Sequence, residues 1–127
     1  MKESHIMVLD EEEDELANLL EKMGLNKNVS VVVTCLFSKD GLKSKDIQRI
    51  ANISQPEVSI AIQKLNGRGW VDEKVANKKE RGRPTMEYRL SKSIEDIVGE
   101  LEKEWIEKKK EEKNNIRRIK ELINKKR

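Results

Sequence analysis

One cysteine, one histidine and 3% aromatics in 127 residues remove several kinds of protein at once. A single thiol, Cys35, closes no intramolecular disulfide. His5 stands far from it, so no metal-ligand spacing exists and no metal is expected. No apolar run approaches the ~18–20 residues that span a bilayer. The opening MKESHIMVLDEEEDE lacks the charged-then-apolar pattern of a secretory signal, which makes a cytoplasmic protein without a membrane partner the expectation. No nucleophile–base pairing, glycine-rich phosphate loop or metal triad is visible either, so neither an enzyme nor a cofactor is expected.

Charge is what the chain has in excess, 40% of residues against a usual ~25%. The formal net charge of +3 conceals an asymmetry. Residues 1–23 hold eight acids and two lysines, a net −6, which leaves +9 for residues 24–127, a surplus that suits a polyanion. The length accommodates one compact domain and an appendage. Helices with broad solvated faces are expected.

Asp10 can cap a helix whose apolar residues Leu16, Leu19, Leu20 and Met23 recur at helical spacing before Gly24 stops it. The valine-rich run from Asn26 could be a buried strand, but Val29, Val32, Val33, Leu36 and Phe37 keep the period of a helix. Cys35, on that helix, reads as a small buried hydrophobe. Ser38–Gly41 is turn sequence, and Leu42 should re-enter the core. Ser44 can cap a short helix with Ile47, Ile50 and Ala51 inward, and Asn52-Ile53 then turns the chain. Ser54-Gln55-Pro56-Glu57 is a capping box with proline in the first turn, and Val58, Ala61, Ile62 and Leu65 form a buried stripe behind it. Trp70–Val75 and Thr85–Leu90 read as the strands of a hairpin whose tip is basic, with Trp70 packed beneath it. From Ser93 onward little breaks a helix except Gly99.

Two short helices joined by a tight turn and followed by a hairpin have the layout of a winged helix-turn-helix. The fold class is therefore mainly α (α+β), with a two-stranded wing and a long C-terminal helix. Residues 1–92 form the winged domain with its acidic first helix, and residues 93–127 the terminal helix. The block from Ser44 to Ser91 resembles the DNA-binding core of archaeal and bacterial regulators of the ArsR, MarR and TrmB kinds. That resemblance implies that the helix starting at Ser54 lies in the major groove, that the hairpin is a wing, and that the protein dimerises through terminal helices. It departs from metal-sensing members in lacking a Cys/His/Asp cluster.

The residues agree with that reading. If the apolar stripe faces inward, Gln55, Ser59, Ile60 and Gln63 face outward, with Ser54, Pro56, Lys64 and Arg68 around them. Glutamine can bond adenine at two points, serine can serve base or phosphate, and isoleucine can touch a thymine methyl. Lys43, Ser44 and Lys45 sit at a helix start suited to phosphate. Lys78, Lys79, Arg81 and Arg83 give the wing tip a net +3, and arginine is favoured in narrow minor grooves. On the terminal helix Ile94, Ile97, Val98, Leu101 and Trp105 form a proximal apolar patch for domain and dimer packing. Ile116, Ile119, Leu122 and Ile123 form a distal patch for further pairing. The polar stretch Lys108–Asn115 separates the two, so they make no continuous heptad seam and a break there stays open. The expected protein is a homodimeric, sequence-specific regulator on double-stranded DNA. Its small-molecule or protein effector, if any, is left open. The rival readings are a protein–protein interaction module and a non-specific architectural nucleic-acid binder.

Overall fold

The computed structural model describes residues 8–77, 82 and 84–127, and the side chain of Asn77 is outside that description. The chain divides into two compact units, Met1–Ile94 and Glu95–Arg127.

The first unit opens with helix α1, Glu11–Lys22. Asp10 accepts the Glu13 N–H at 2.8 Å while the Glu13 carboxylate accepts the Asp10 N–H at 2.9 Å. Four acids in this first turn complement the positive end of the helix dipole. Gly24, at φ +110, turns the chain out of the helix with a conformation few other residues adopt. Helix α2, Lys27–Ser38, follows from the Asn26 cap, and the valine-rich run is helical, as its period requires. It packs on α1 and buries Val29, Val32, Val33, Cys35 and Leu36. Ser30 and Thr34 are also buried, and their hydroxyls donate to the carbonyls of Asn26 and Ser30 at 3.0 and 2.9 Å.

Two residues expected inside are exposed, Leu19 and Phe37. The inward face of α1 is centred between Ala17 and Leu20, which places Leu19 roughly 130° away at about 100° per residue. Phe37 stands roughly 80° from Val29, on the rim of the α2 stripe.

Leu42–Lys43 forms a short strand, β1, that periodicity could not reveal in two residues. Its extended end corrects the expected cap of helix α3, Ser44–Ala51. Lys43, not Ser44, is the N-cap residue, and the Asp46 carboxylate accepts its N–H at 3.0 Å. Ser44 Oγ instead accepts a bond from Gln48 Nε2 at 3.3 Å. Ile47 is buried, and Ile50 and Ala51 are half-buried. Asn52, at φ 57 and ψ 49, closes α3 in the left-handed conformation that asparagine tolerates.

Helix α4, Gln55–Gly67, follows, then strands β2, Val71–Asn77, and β3, Thr85–Leu90. The first strand begins one residue later than expected because Trp70 belongs to the turn. Its N–H donates to the Leu65 carbonyl at 3.0 Å and its carbonyl accepts the Ser91 N–H at 2.8 Å. The ring is fully buried. The three strands form one antiparallel sheet in the order β1-β3-β2, with Leu42 opposite Tyr88 and Val71 opposite Leu90. A register shift between Val75 and Asn77 bends β2 just before the wing tip.

Helix α5 runs from Ile94 to Lys126 without interruption, about 50 Å at ~1.5 Å per residue. It continues through Lys108–Asn115, where Lys110 pairs with Glu107 at 3.7 Å and Lys109 with Glu112 at 3.5 Å. Ile97 and Leu101 are buried, Ile94 is half-buried, and every residue beyond Leu101 is exposed. No helix among the described residues is long and apolar enough to cross a membrane.

Candidate nucleic-acid interface

The outer face of α4 is positioned from both ends and from behind. Val58, Ala61, Ile62 and Leu65 are buried, which fixes the rotation of the helix about its axis. At its start, the Ser54 N–H donates to Glu57 Oε1 at 2.8 Å, and the Glu57 N–H donates to Ser54 Oγ at 3.3 Å. Bonds from the Ser54 backbone and hydroxyl hold the Glu57 carboxyl below its usual range, so this box weakens only in acid. At the far end Arg68 closes the helix, with its N–H shared by the Lys64 and Leu65 carbonyls. The turn before α4 is equally defined, since the Ile53 N–H bonds the Gln48 carbonyl at 3.2 Å.

On that framework Gln55, Pro56, Ser59, Ile60, Gln63 and Lys64 are all exposed. Ser59, Ile60 and Gln63 lie within one arc roughly opposite the buried stripe, and Ile60 is 53% exposed, a large apolar side chain with no core role. Ser54 is exposed but committed to the cap. Arg68 stands apart from this arc, with its guanidinium over the Trp70 ring at 4.3 Å from the centroid. Lys45 is exposed at the start of α3, with Lys43 and Ser44 half-buried beside it. The wing residues Lys78, Lys79, Arg81 and Arg83 lie outside the described residues.

Cys35 is buried, and loss of solvation, with the nearby Glu13 charge second, pushes its thiol up to about 12. A cavity of about 110 Å³ beside it is lined by Val8, Leu9, Ser38, Lys39 and Ile50. Drug-sized ligands occupy ~300–1,000 Å³, so this space admits little beyond a few waters. Among the described residues no group of three or more His, Cys, Asp or Glu could hold a metal ion.

The order of elements, with two short helices, a three-stranded sheet ending in a wing hairpin, and a long terminal helix, defines a winged helix-turn-helix. Its structural matches include MarR-family transcriptional regulators. One, from Silicibacter pomeroyi, has a TM-score of 0.53 and 19% identity over 73% of this chain. This chain spans 60% of that regulator's length. A second, from the archaeon Methanosarcina mazei, gives 0.51 and 21% identity over 75% of this chain and 68% of that one. Staphylococcus aureus MepR, in its complex with DNA, gives 0.51 and 17% identity over 87% of this chain and 92% of that one. At these identities the likeness is one of fold. No family model and no curated protein matches the chain.

Proposed function

We propose that this protein is a sequence-specific, double-stranded DNA-binding transcriptional regulator that acts as a cytoplasmic homodimer without catalytic activity. The observation that carries the reading is the outer face of α4. Ser59, Ile60 and Gln63, with Gln55 exposed at the first turn, stand on a helix whose rotation, start and end are all fixed, which is what reading base edges demands of a recognition helix. The fold shared with MepR, a protein whose structure with DNA is known, supports the same assignment.

In this reading residues 1–92 bind DNA and residues 93–127 pair the subunits. Gln63 and Gln55 read adenines, Ser59 and Ile60 contact neighbouring edges, and Lys64 flanks them, while Arg68, stacked on Trp70, lies off the reading face. Lys43, Ser44 and Lys45 hold phosphates at the start of α3, and Lys78, Lys79, Arg81 and Arg83 carry the wing tip along the backbone and into a minor groove. Occupancy of a promoter then blocks or recruits the transcription machinery. Selection from random duplex DNA at moderate salt tests the proposal. A two-fold motif with half-sites one helical turn or a multiple apart is expected. Retention without a motif would favour an architectural role, and no retention at low salt would refute DNA binding.

A further inference from the structure

Because α5 is unbroken, members of both its apolar patches and two residues of the charged stretch between them share one face. At about 100° per residue from Trp105, Val98 stands at about +20°, and Ile116, Ile119 and Ile123 stand at about +20°, −40° and 0°. The charged stretch contributes only two residues to this stripe, Lys109 at about +40° and Glu112 at about −20°. They are of opposite sign, 3.5 Å apart, and Lys109 also lies 5.7 Å from the centre of the Trp105 ring. Ile94 and Leu101, at about −20° and −40°, are the half-buried and buried members of the same stripe, whereas Val98, Trp105, Ile116, Ile119 and Ile123 are between 41% and 55% exposed, an unusual run for a helix that stays single in water.

We infer that α5 pairs antiparallel with α5 of a second copy, about a two-fold axis between Lys110 and Glu111. The inference rests on the homodimer reading and adds the polarity and register of the pairing. In that register Lys109 stands level with Glu112 of the second copy, Trp105 with its Ile116, and Val98 with its Ile123. The two intrachain pairs become a ring of four alternating charges at the axis, flanked on each side by an apolar layer. A parallel arrangement would set Lys109 against Lys109 and Glu112 against Glu112, and like charges held together oppose assembly. The antiparallel arrangement instead places each Lys109 opposite a Glu112. The face is thus complementary to itself, and the symmetry closes at two subunits.

The test uses the full chain carrying one nitroxide label at a time, at Lys110→Cys, Lys103→Cys or Asn124→Cys, with buried Cys35 left in place and the unsubstituted protein as the labelling control. Intermolecular distances are read by pulsed electron resonance. Antiparallel pairing predicts along-axis separations of about 2, 22 and 40 Å in that order, at ~1.5 Å per residue. Equal distances at the three sites, or any other order, overturn the register while leaving a dimer. No intermolecular distance at any site overturns the pairing itself. Retention of the selected duplex, measured on the same samples, reports separately on the DNA reading.

Discussion

Leu65 and Gln63 stand two positions apart on α4 and on nearly opposite faces, so their substitutions should separate stability from recognition. Leu65 is fully buried. Truncation to alanine withdraws three carbons from the core at ~0.8 kcal/mol each. The void that remains raises the cost toward ~3–4 kcal/mol, within the ~2.7–5 kcal/mol range of buried leucine truncations. In a domain of ~60–100 residues each kcal/mol moves the midpoint by about 4–8 °C, so Tm should fall by more than about 12 °C. Trp70 fluorescence is the assay, because that ring is buried in the first unit, and a Trp105→Phe background removes the exposed reporter on α5. Gln63 is exposed, and its truncation should move Tm by less than ~0.5 kcal/mol equivalent. In the DNA selection the order reverses. Gln63→Ala should relax choice at one or two base pairs by ~1–3 kcal/mol, while Leu65→Ala, held well below its midpoint, should retain the parent motif. A Leu65→Ala protein that melts within a few degrees of the parent would show that the stripe is not a core. A Gln63→Ala protein with an unchanged motif would refute the assignment of the recognition face.

Ser54→Ala removes one half of the box at the start of α4 and should cost about 1 kcal/mol by urea denaturation, with an unchanged m value. Parent binding should fall with salt at a log–log slope near −7 to −11 for about 8–12 phosphate contacts per dimer. Arg81→Ala with Arg83→Ala should flatten that slope by roughly one unit for each phosphate no longer held and weaken all sequences alike, as filter binding across a salt series would show. Cys35 should resist thiol reagents at pH 8 in the native protein and react fully only in denaturant. Its thiol is raised in the fold, so its contribution to stability is complete below its ordinary value of 9.0 and is lost as pH climbs toward about 12. A urea midpoint that rose across that alkaline range would contradict the burial.

What was legible in the sequence follows from where the determinants lie. The α4 box and the stripe behind it need only contacts within one helix, and Ser54, Glu57, Val58, Ala61, Ile62 and Leu65 stand where their spacing implied. The valines of α2 were resolved by period alone. By contrast, the direction of the α1 face depends on what packs beside it, so Leu19 lay inside by spacing and outside in the fold. Strand β1 exists through its pairing with β3, which is remote in sequence, and it moved the α3 cap from Ser44 to Lys43. The continuity of α5 was equally hidden. Its polar stretch looks like a gap in a seam until the unbroken helix brings Lys109 and Glu112 onto the same face as Trp105 and Ile116.

The distribution of charge separates the two tasks proposed for this chain. Residues 24–93 hold fourteen basic and seven acidic residues, a net +7, whereas residues 94–126 hold ten and nine, a net +1. A helix meant to track phosphates would keep a surplus, but α5 balances its charges, and its lysines and arginines at 109, 110 and 118 form ion pairs with Glu112, Glu107 and Glu121. Exposed pairs of this kind add little stability singly. The neutrality they give α5 would let two such helices approach without net repulsion. The acids at the start of α1 are likewise accounted for by capping and the helix dipole. On the proposed reading the basic surplus lies in the winged unit, where α4 and the wing would use it, and the near-neutral helix would serve assembly. Moving charge between them is the discriminating perturbation. Neutralising Lys78 and Lys79 should cost DNA affinity without changing subunit association, and Lys109→Glu should weaken association first and DNA binding only through loss of the dimer. Sedimentation equilibrium beside DNA titration reads both, and a Lys109→Glu protein that stays fully dimeric would break the link between this charge pattern and pairing.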